Sequence, residues 1–128
     1  MSGMQKKRVL VVEDNELNRE ILSQILSEQY QVLEAENGQV AFDILKEYKS
    51  GISLIFLDVV MPVMDGYTFL DRLRADSSIS FIPVVVTTQS NGEEDEVNAL
   101  SHGATDFVPK PYRPKINMRR AANLIELR

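Results

Sequence analysis

The chain has 128 residues, the length of a single domain, and contains no cysteine, which excludes disulfides, thiolate metal sites and thiol nucleophiles. Its 14 basic and 19 acidic residues give a formal net charge of -5, which argues against nucleic-acid binding through bulk electrostatics. No apolar run approaches the roughly 20 residues that a membrane helix needs, and the run at residues 9–12 is too short for a signal peptide. These features predict a cytoplasmic protein without direct nucleic-acid or membrane contacts.

Along the chain, short apolar runs alternate with stretches whose apolar residues have helical spacing. In chain order, the runs predict strands at residues 9–12, 30–35, 52–57, 82–86 and 105–108. The stretches between and after them predict helices around residues 17–26, 40–48, 69–73, 97–100 and 118–125. The second helix is entered through Asn37-Gly38, the third follows Asp65-Gly66, and Pro114 suits the first turn of the last helix.

The first and last helices carry specific predictions about their faces. The apolar stripe of the first helix consists of Leu17, Ile21, Leu22, Ile25 and Leu26. The predicted buried arc of the last helix consists of Met118, Ala121, Ala122 and Ile125. Exposed apolar residues beside arginines on this last helix suggest a contact surface for self-association or for a partner. This surface would comprise Ile116, Arg119, Arg120, Leu124 and Leu127. The alternative is a helix whose ends fray or whose position is shifted.

The alternation of strands and helices predicts a parallel sheet covered by helices on both faces. In such sheets, ligands bind beyond the carboxyl ends of the strands, so the polar residues that follow each strand are candidates for function. They are Glu13 and Asp14 after the first strand, Asp58 after the third, Thr87 and Thr88 at the end of the fourth, and Lys110 after the fifth. These residues are distant in sequence, and the predicted fold would bring them together.

The chemistry of these candidates points to phosphoryl transfer. Three carboxylates that converge repel one another, and a hard divalent cation such as Mg²⁺, which prefers oxygen ligands, removes the conflict. A lysine ammonium and a threonine hydroxyl supply the other groups that hold a phosphoryl group during transfer. A carboxylate can itself be the nucleophile and form an acyl phosphate.

Taken singly, each residue also has an ordinary structural explanation. Glu13 and Asp14 favour a helix N-terminus, Asp58 suits a loop, Thr87 is a common strand residue and Lys110 suits a solvated loop. Because four separate strand ends each supply a suitable group, coincidence is the weaker interpretation.

The sequence resembles a receiver domain of a two-component response regulator over about residues 7–127. The resemblance rests on the ordered spacing of Glu13-Asp14-Asn15, residues 57–66, residues 83–88, residues 103–107 and Lys110-Pro111. It implies an α/β fold with five parallel strands in the flavodoxin-like order 2-1-3-4-5, doubly wound and flanked by five helices. Residues 1–128 would form a single receiver domain, with 1–6 as a flexible N-terminal segment and no effector domain in this chain.

The resemblance also implies a role for each matching residue. Asp58 would be the phosphoacceptor, and Mg²⁺, or Mn²⁺ in its place, would be held by Glu13, Asp14, Asp58 and the backbone carbonyl of Val60. Thr87 and Lys110 would bind phosphoryl oxygens, Thr87 and Phe107 would form the switch, and the Lys110–Pro111 peptide bond would be cis. Two positions depart from the family pattern, since Thr88 replaces a smaller residue and Phe107 replaces a tyrosine.

The function implied is that of a signalling phosphoacceptor. The phosphoryl group would come from a phosphohistidine on a histidine kinase or a phosphotransfer protein. It would alter the surface of the fourth helix, fifth strand and fifth helix, which would then act on a downstream protein, on an effector domain or on a second copy of the chain. The domain would assist its own phosphorylation and autodephosphorylation without being a dedicated enzyme. The alternative is a receiver-like interaction module that works without phosphorylation.

Two other classes of protein fit the sequence less well. A haloacid-dehalogenase-type phosphatase normally needs a second aspartate two residues after its nucleophile, where this chain has Val60. A flavodoxin-like cofactor binder needs a phosphate-cradling loop after the first strand, where Glu13 and Asp14 would repel a phosphate.

Overall fold

Strands and helices alternate throughout the computed structural model, which describes residues 6–59, 65–88, 93–110 and 112–126. The strands are β1 (Arg8–Val12), β2 (Gln31–Ala35), β3 (Ile52–Asp58), β4 (Val84–Thr88) and β5 (Asp106–Pro109). The helices are α1 (Glu16–Leu26), α2 (Gly38–Tyr48), α3 (Gly66–Ala75), α4 (Glu93–Ser101) and α5 (Pro114–Glu126), with a short 3₁₀ helix at Lys49–Gly51. Among the helices that the structure describes, none combines the length and the apolar character that crossing a membrane requires.

The five strands form one parallel sheet in the order β2-β1-β3-β4-β5, which confirms the predicted fold. The strand boundaries agree with the sequence pattern to within one residue except in β4, where the apolar run predicts residues 82–86 and the strand is Val84–Thr88. The helices are longer than their apolar stripes, most of all α4, which begins at Glu93. The backbone N–H of Ile82 donates to the Ile79 carbonyl across a turn, and Pro83 has no N–H for the ladder. The strand therefore begins only after the proline.

The interior strand β1 is buried on both faces, which explains its uninterrupted apolar run. Val9 and Val11 pack into a cluster with residues of α1 and α5, whereas Leu10 and Val12 pack into a cluster with residues of α2, α3 and α4. Each of these four valine and leucine side chains is at most 1% exposed. The core therefore consists of two apolar layers, one on each side of the sheet.

Side-chain caps determine where three of the helices begin. Asn15, Asn37 and Asp65 each accept a hydrogen bond of 2.9 Å from the backbone N–H three residues later, at the starts of α1, α2 and α3. After Asp65, Gly66 lies against the backbone that follows β3, where a Cβ would come within 2.5 Å of the Val59 Cα. A larger residue would therefore push the start of α3 away from the end of β3.

The apolar stripe of α1 is buried only in part. Leu17 and Ile21 are 65% and 40% exposed, and Ile25 is half-buried, so Leu22 and Leu26 alone among the predicted residues are buried. The reason is geometric, since α1 presents only a narrow arc to the strands and α5. Leu17 and Ile21 lie outside that arc.

The predicted burial of α5 also needs correction. Ala121 and Ile125 are buried, but Met118 and Ala122 are half-buried and Asn117 is the third buried residue. Met118 and Ala122 line a groove between α1 and α5 instead of facing the sheet. The helix is thus rotated relative to the arc expected from apolar spacing alone.

Candidate functional site

Acidic side chains from two strands meet at the carboxyl edge of the sheet. Glu13 and Asp14 follow β1, and Asp58 ends β3, the strand paired with β1 at the point where the chain order of the sheet reverses. One carboxylate oxygen from each of the three residues lies within 4.8 Å of the others. Glu13 and Asp58 are buried, whereas Asp14 is exposed. The cluster is therefore closed on one side and open to solvent on the other.

Lys110 reaches the same cluster from the end of β5. Its ammonium lies 3.0 Å from Glu13 Oε1 and 3.5 Å from Asp58 Oδ2, and its side chain is 11% exposed. The backbone N–H of Lys110 donates to the Thr88 carbonyl at 2.8 Å, which extends the pairing of β5 with β4 by one residue. The strand pairing thus positions the backbone of Lys110, and the two ion pairs orient its side chain.

Glu13 is held from both its backbone and its side chain. Its backbone N–H donates to the Ala35 carbonyl at 3.0 Å, and its own carbonyl accepts from Arg19 Nη1 at 2.8 Å. The backbone N–H of Asn15 donates to Glu13 Oε2 at 3.2 Å. The Glu13 carboxylate therefore has a defined orientation toward Lys110.

The ionisation of Glu13 reflects two opposing effects. Burial disfavours the charged carboxylate, but hydrogen bonds with Asp58 and Lys110, the charge of Lys110 and the N–H of Asn15 outweigh it. Together they hold the pKa of the Glu13 carboxyl below its usual range. Glu13 is therefore a charged acceptor at neutral pH despite being buried.

The donor set fits a hard divalent cation. Three carboxyl groups face the single positive charge that Lys110 brings, so the ionised cluster carries an excess of negative charge. The groups are all oxygen donors, the ligands that Mg²⁺ and Mn²⁺ take, and the exposed Asp14 leaves a route for an ion and its waters. The residues present thus suit the metal that the sequence predicts.

Thr87 and Thr88 end β4 beside this cluster. Thr87 is 1% exposed and lies opposite Asp58 in the strand pairing, so the hydroxyl and the carboxylate come from adjacent strand ends. Thr88 is 5% exposed. Phe107, in register with Val86 of β4, is half-buried and packs against the cluster shared by α2, α3 and α4.

Some of the predicted residues lie outside the part of the chain that the structure describes. Val60, whose carbonyl is the further predicted metal ligand, belongs to this group, as does Pro111, so the cis peptide stays a prediction. Leu127 of the predicted contact surface also lies outside the described residues.

The rest of the predicted contact surface is only partly exposed. Ile116 is 41% exposed and Arg119 is exposed, but Leu124 is half-buried and packs against the cluster shared by α1 and α5. Arg120 Nη1 donates to both carboxylate oxygens of Asp106, at 2.8 and 3.0 Å. The exposed apolar area of this surface therefore centres on Ile116.

Tyr112 is a site residue that the sequence analysis missed. Its hydroxyl lies 3.1 Å from Glu13 Oε1 and 3.4 Å from Thr87 Oγ1. The available signal was an aromatic residue two positions after Lys110, in the segment that turns back toward α5. That signal is weak, because an aromatic residue at such a turn is equally typical of a core position.

Comparisons with known proteins agree with this geometry. The family model for the response regulator receiver domain matches residues 9–122. A relative described as a probable cyclic di-GMP phosphodiesterase of Vibrio cholerae is 35% identical over 111 residues, which cover 87% of this chain and 25% of that protein. The chain spans between 9% and 25% of the length of the first curated relatives it matches.

Solved receiver structures share the fold. The chemotaxis protein CheY4 of Vibrio cholerae superposes with a TM-score of 0.86 at 27% identity, covering 94% of this chain and 99% of that one. The receiver domain of the sensor histidine kinase PA1611 of Pseudomonas aeruginosa superposes with a TM-score of 0.85 at 25% identity, covering 94% and 98%. With the family model spanning most of the chain and the acidic cluster at the edge of the sheet, this protein belongs to the response regulator receiver domains of two-component signalling.

Proposed function

We propose that this receiver domain accepts a phosphoryl group on Asp58 from a phosphohistidine of a histidine kinase or a phosphotransfer protein. The observation that carries the proposal is the position of the Asp58 carboxylate, which lies beside the acidic pair after β1 and 3.5 Å from the ammonium of Lys110. In the transfer, a bond forms between phosphorus and an Asp58 oxygen while the bond from phosphorus to the donor imidazole nitrogen breaks. The product is an acyl phosphate.

The neighbouring side chains supply the remaining groups. Lys110, already 3.5 Å from Asp58 Oδ2, meets one phosphoryl oxygen, and the Thr87 hydroxyl donates to another. Glu13, Asp14 and Asp58 hold Mg²⁺ or Mn²⁺, with the Val60 carbonyl as a further ligand. When bound, the ion neutralises charge on the phosphoryl oxygens. In support, the similar receiver domain of PA1611 is described with a magnesium ion coordinated in its active-site cleft.

The proposal includes a change of surface after phosphorylation. The modification adds about 1.5 to 2 negative charges at Asp58, which favours one state of a two-state equilibrium. Thr87 and Phe107 transmit the change to the face formed by α4, β5 and α5. This face then binds a downstream protein, an effector domain or a second copy of the chain through the contact surface around Ile116, Arg119 and Arg120.

In this scheme, the domain is an acceptor that assists its own phosphorylation and autodephosphorylation, and the reaction takes place in the cytoplasm. Output activities of the longer relatives, such as cyclic di-GMP hydrolysis, are not assigned to this chain, which matches a quarter of that relative.

Intact mass spectrometry with Mg²⁺ and acetyl phosphate tests the phosphoacceptor directly. The wild type is expected to gain one phosphoryl group, and Asp58→Asn is expected to gain none. Asp43→Asn, which alters an exposed aspartate on α2, is the matched control and should behave as the wild type. If the wild type gains no phosphoryl group at Asp58, the interaction module that works without phosphorylation becomes the better assignment.

Sedimentation velocity tests self-association through the α4-β5-α5 face. With beryllofluoride, which imitates the phosphoryl group, the sedimentation coefficient should rise with concentration, and Arg119→Glu should weaken the rise. A coefficient that stays constant across concentration would contradict the dimer and leave the phosphoacceptor assignment intact.

A further inference from the structure

A tyrosine hydroxyl joins two of the groups that the proposed function uses. Tyr112 lies between β5 and α5, and its hydroxyl is 3.1 Å from Glu13 Oε1 and 3.4 Å from Thr87 Oγ1. The ring is half-buried and packs against the apolar cluster shared by α1 and α5. The phenol thus reaches into the acidic site from the side of the sheet opposite Phe107, which packs against the other cluster.

The direction of each hydrogen bond follows from the groups involved. An ionised carboxylate only accepts, so the phenol hydrogen of Tyr112 goes to Glu13. With that hydrogen committed to Glu13, the 3.4 Å contact between the two hydroxyls is a hydrogen bond only when Thr87 donates its single hydrogen to the phenol oxygen. Burial, with the nearby charges of Glu13 and Asp58, raises the pKa of the Tyr112 phenol, so the phenol is a neutral donor at physiological pH.

We propose that Tyr112 is a positioning residue that holds the Thr87 hydroxyl in its unphosphorylated arrangement, so that a phosphoryl group on Asp58 has to displace it. The inference rests on the proposed function, in which the Thr87 hydroxyl donates to a phosphoryl oxygen. The single hydrogen of Thr87 cannot serve Tyr112 and the phosphoryl oxygen fully at once. The bond to Tyr112 therefore opposes phosphorylation, and breaking it leaves the phenol held by Glu13 alone.

Loss of the contact between Tyr112 and Thr87 would also connect the site to α5. The residue is two positions before Pro114, where α5 begins, and its ring contacts the same apolar cluster as Ala121 and Ile125. A phenol that keeps its contact with Glu13 and loses the one with Thr87 is held less firmly against that cluster. Two aromatic side chains would then transmit the change from the site, Phe107 on one face of the sheet and Tyr112 on the other.

Titration of beryllofluoride in the presence of Mg²⁺, followed by NMR of the methyl groups, tests the proposal. Tyr112→Phe is expected to bind beryllofluoride about two- to tenfold more tightly than the wild type, the range expected for the loss of one competing hydrogen bond. Tyr30→Phe is the matched control, because it also removes a phenol that bonds a glutamate, at 2.9 Å from Glu126 and outside the site. It should leave the affinity unchanged.

The dependence on Thr87 separates positioning from a general structural role. In a Thr87→Val background, Tyr112→Phe should no longer change the affinity, whereas Thr87→Ser, which keeps the hydroxyl, should restore the effect. Thermal unfolding of every variant checks that it is folded.

One result would contradict the role of Tyr112, and another would contradict the proposed function. Unchanged or weaker binding by Tyr112→Phe, with a wild type that responds through Asp58, contradicts the role of Tyr112 alone. A wild type in which beryllofluoride gives no Asp58-dependent response contradicts the proposed function, and the inference falls with it.

Discussion

An acidic cluster and a single arginine lie at opposite ends of the strands, and their charges are satisfied in different ways. At the carboxyl end, Glu13 and Asp58 share the positive charge of Lys110, and Asp14 lies beside them. At the amino end of β4, the guanidinium of Arg74 donates to neutral backbone carbonyls. These are Gly103 O at 2.6 and 3.0 Å, Ser80 O at 2.8 Å and Ile82 O at 2.7 Å.

The difference separates an arginine that stabilises the fold from an acidic cluster that is suited to a ligand. Burial lowers the pKa of the Arg74 guanidinium. Its N–H groups nevertheless donate to backbone carbonyls whose positions the fold determines. The acidic cluster instead places like charges together, which costs stability until a cation or a change of protonation relieves it. We therefore expect that replacing Arg74 lowers the free energy of unfolding, whereas removing one charge from the acidic cluster raises it.

The largest effect is expected at Arg74. Arg74→Met keeps much of the apolar stem but removes the donors to three carbonyls, and it should lower the free energy of unfolding by about 3 kcal/mol. Urea denaturation measures this. Arg72→Met, at an exposed arginine of the same helix, should change stability by less than about 0.5 kcal/mol. An equal loss in both variants would show that the carbonyl contacts of Arg74 add nothing.

The next effect is expected from metal binding to the acidic cluster. At a Mg²⁺ concentration about 100 times the dissociation constant, the wild type should gain about 2.7 kcal/mol in stability. Thermal unfolding with and without EDTA measures the gain. Asp58→Asn should lose most of it, because one of three carboxylates is gone. The same gain in that variant would place the ion elsewhere.

A smaller effect of opposite sign to that at Arg74 is expected from Asp58→Asn in metal-free buffer. Removing one charge relieves the repulsion among the carboxylates, so this variant should be more stable than the wild type by about 1 kcal/mol. Asp43→Asn, on the exposed face of α2, serves as the control and should have little effect. A destabilised Asp58→Asn in urea denaturation would mean that attraction to Lys110 outweighs the repulsion.

The smallest effect concerns a phenol–carboxylate pair far from the site. Burial and Glu126 raise the pKa of Tyr30 to about 12. Since folding raises this pKa above its unfolded value, the stabilisation is present below about pH 10 and is lost as the pH rises toward about 12. Below that window, the wild type should exceed Tyr30→Phe by about 0.5 kcal/mol in urea denaturation. If the wild type stays more stable than Tyr30→Phe as the pH rises toward about 12, the raised pKa does not belong to Tyr30.

Much of the fold followed from local features of the chain. The uninterrupted apolar run of β1 predicted a strand buried on both faces, and Asn37 and Asp65 predicted the starts of α2 and α3. The ordered motifs led to the strand order, and with it to the meeting of Glu13 and Asp58 at one edge. These features depend on near neighbours in sequence or on a recognisable order of motifs, so no contact between distant residues had to be known.

Other features were decided only by the tertiary structure. Apolar spacing did not show that Leu17 and Ile21 would be exposed, because the arc that α1 buries depends on how the helix lies against the sheet and α5. Nor did it indicate that the Tyr112 hydroxyl would reach Glu13, 99 residues away in the chain. Such contacts depend on the register of the strands and on the path of the connecting segments, and only the packed chain brings those together.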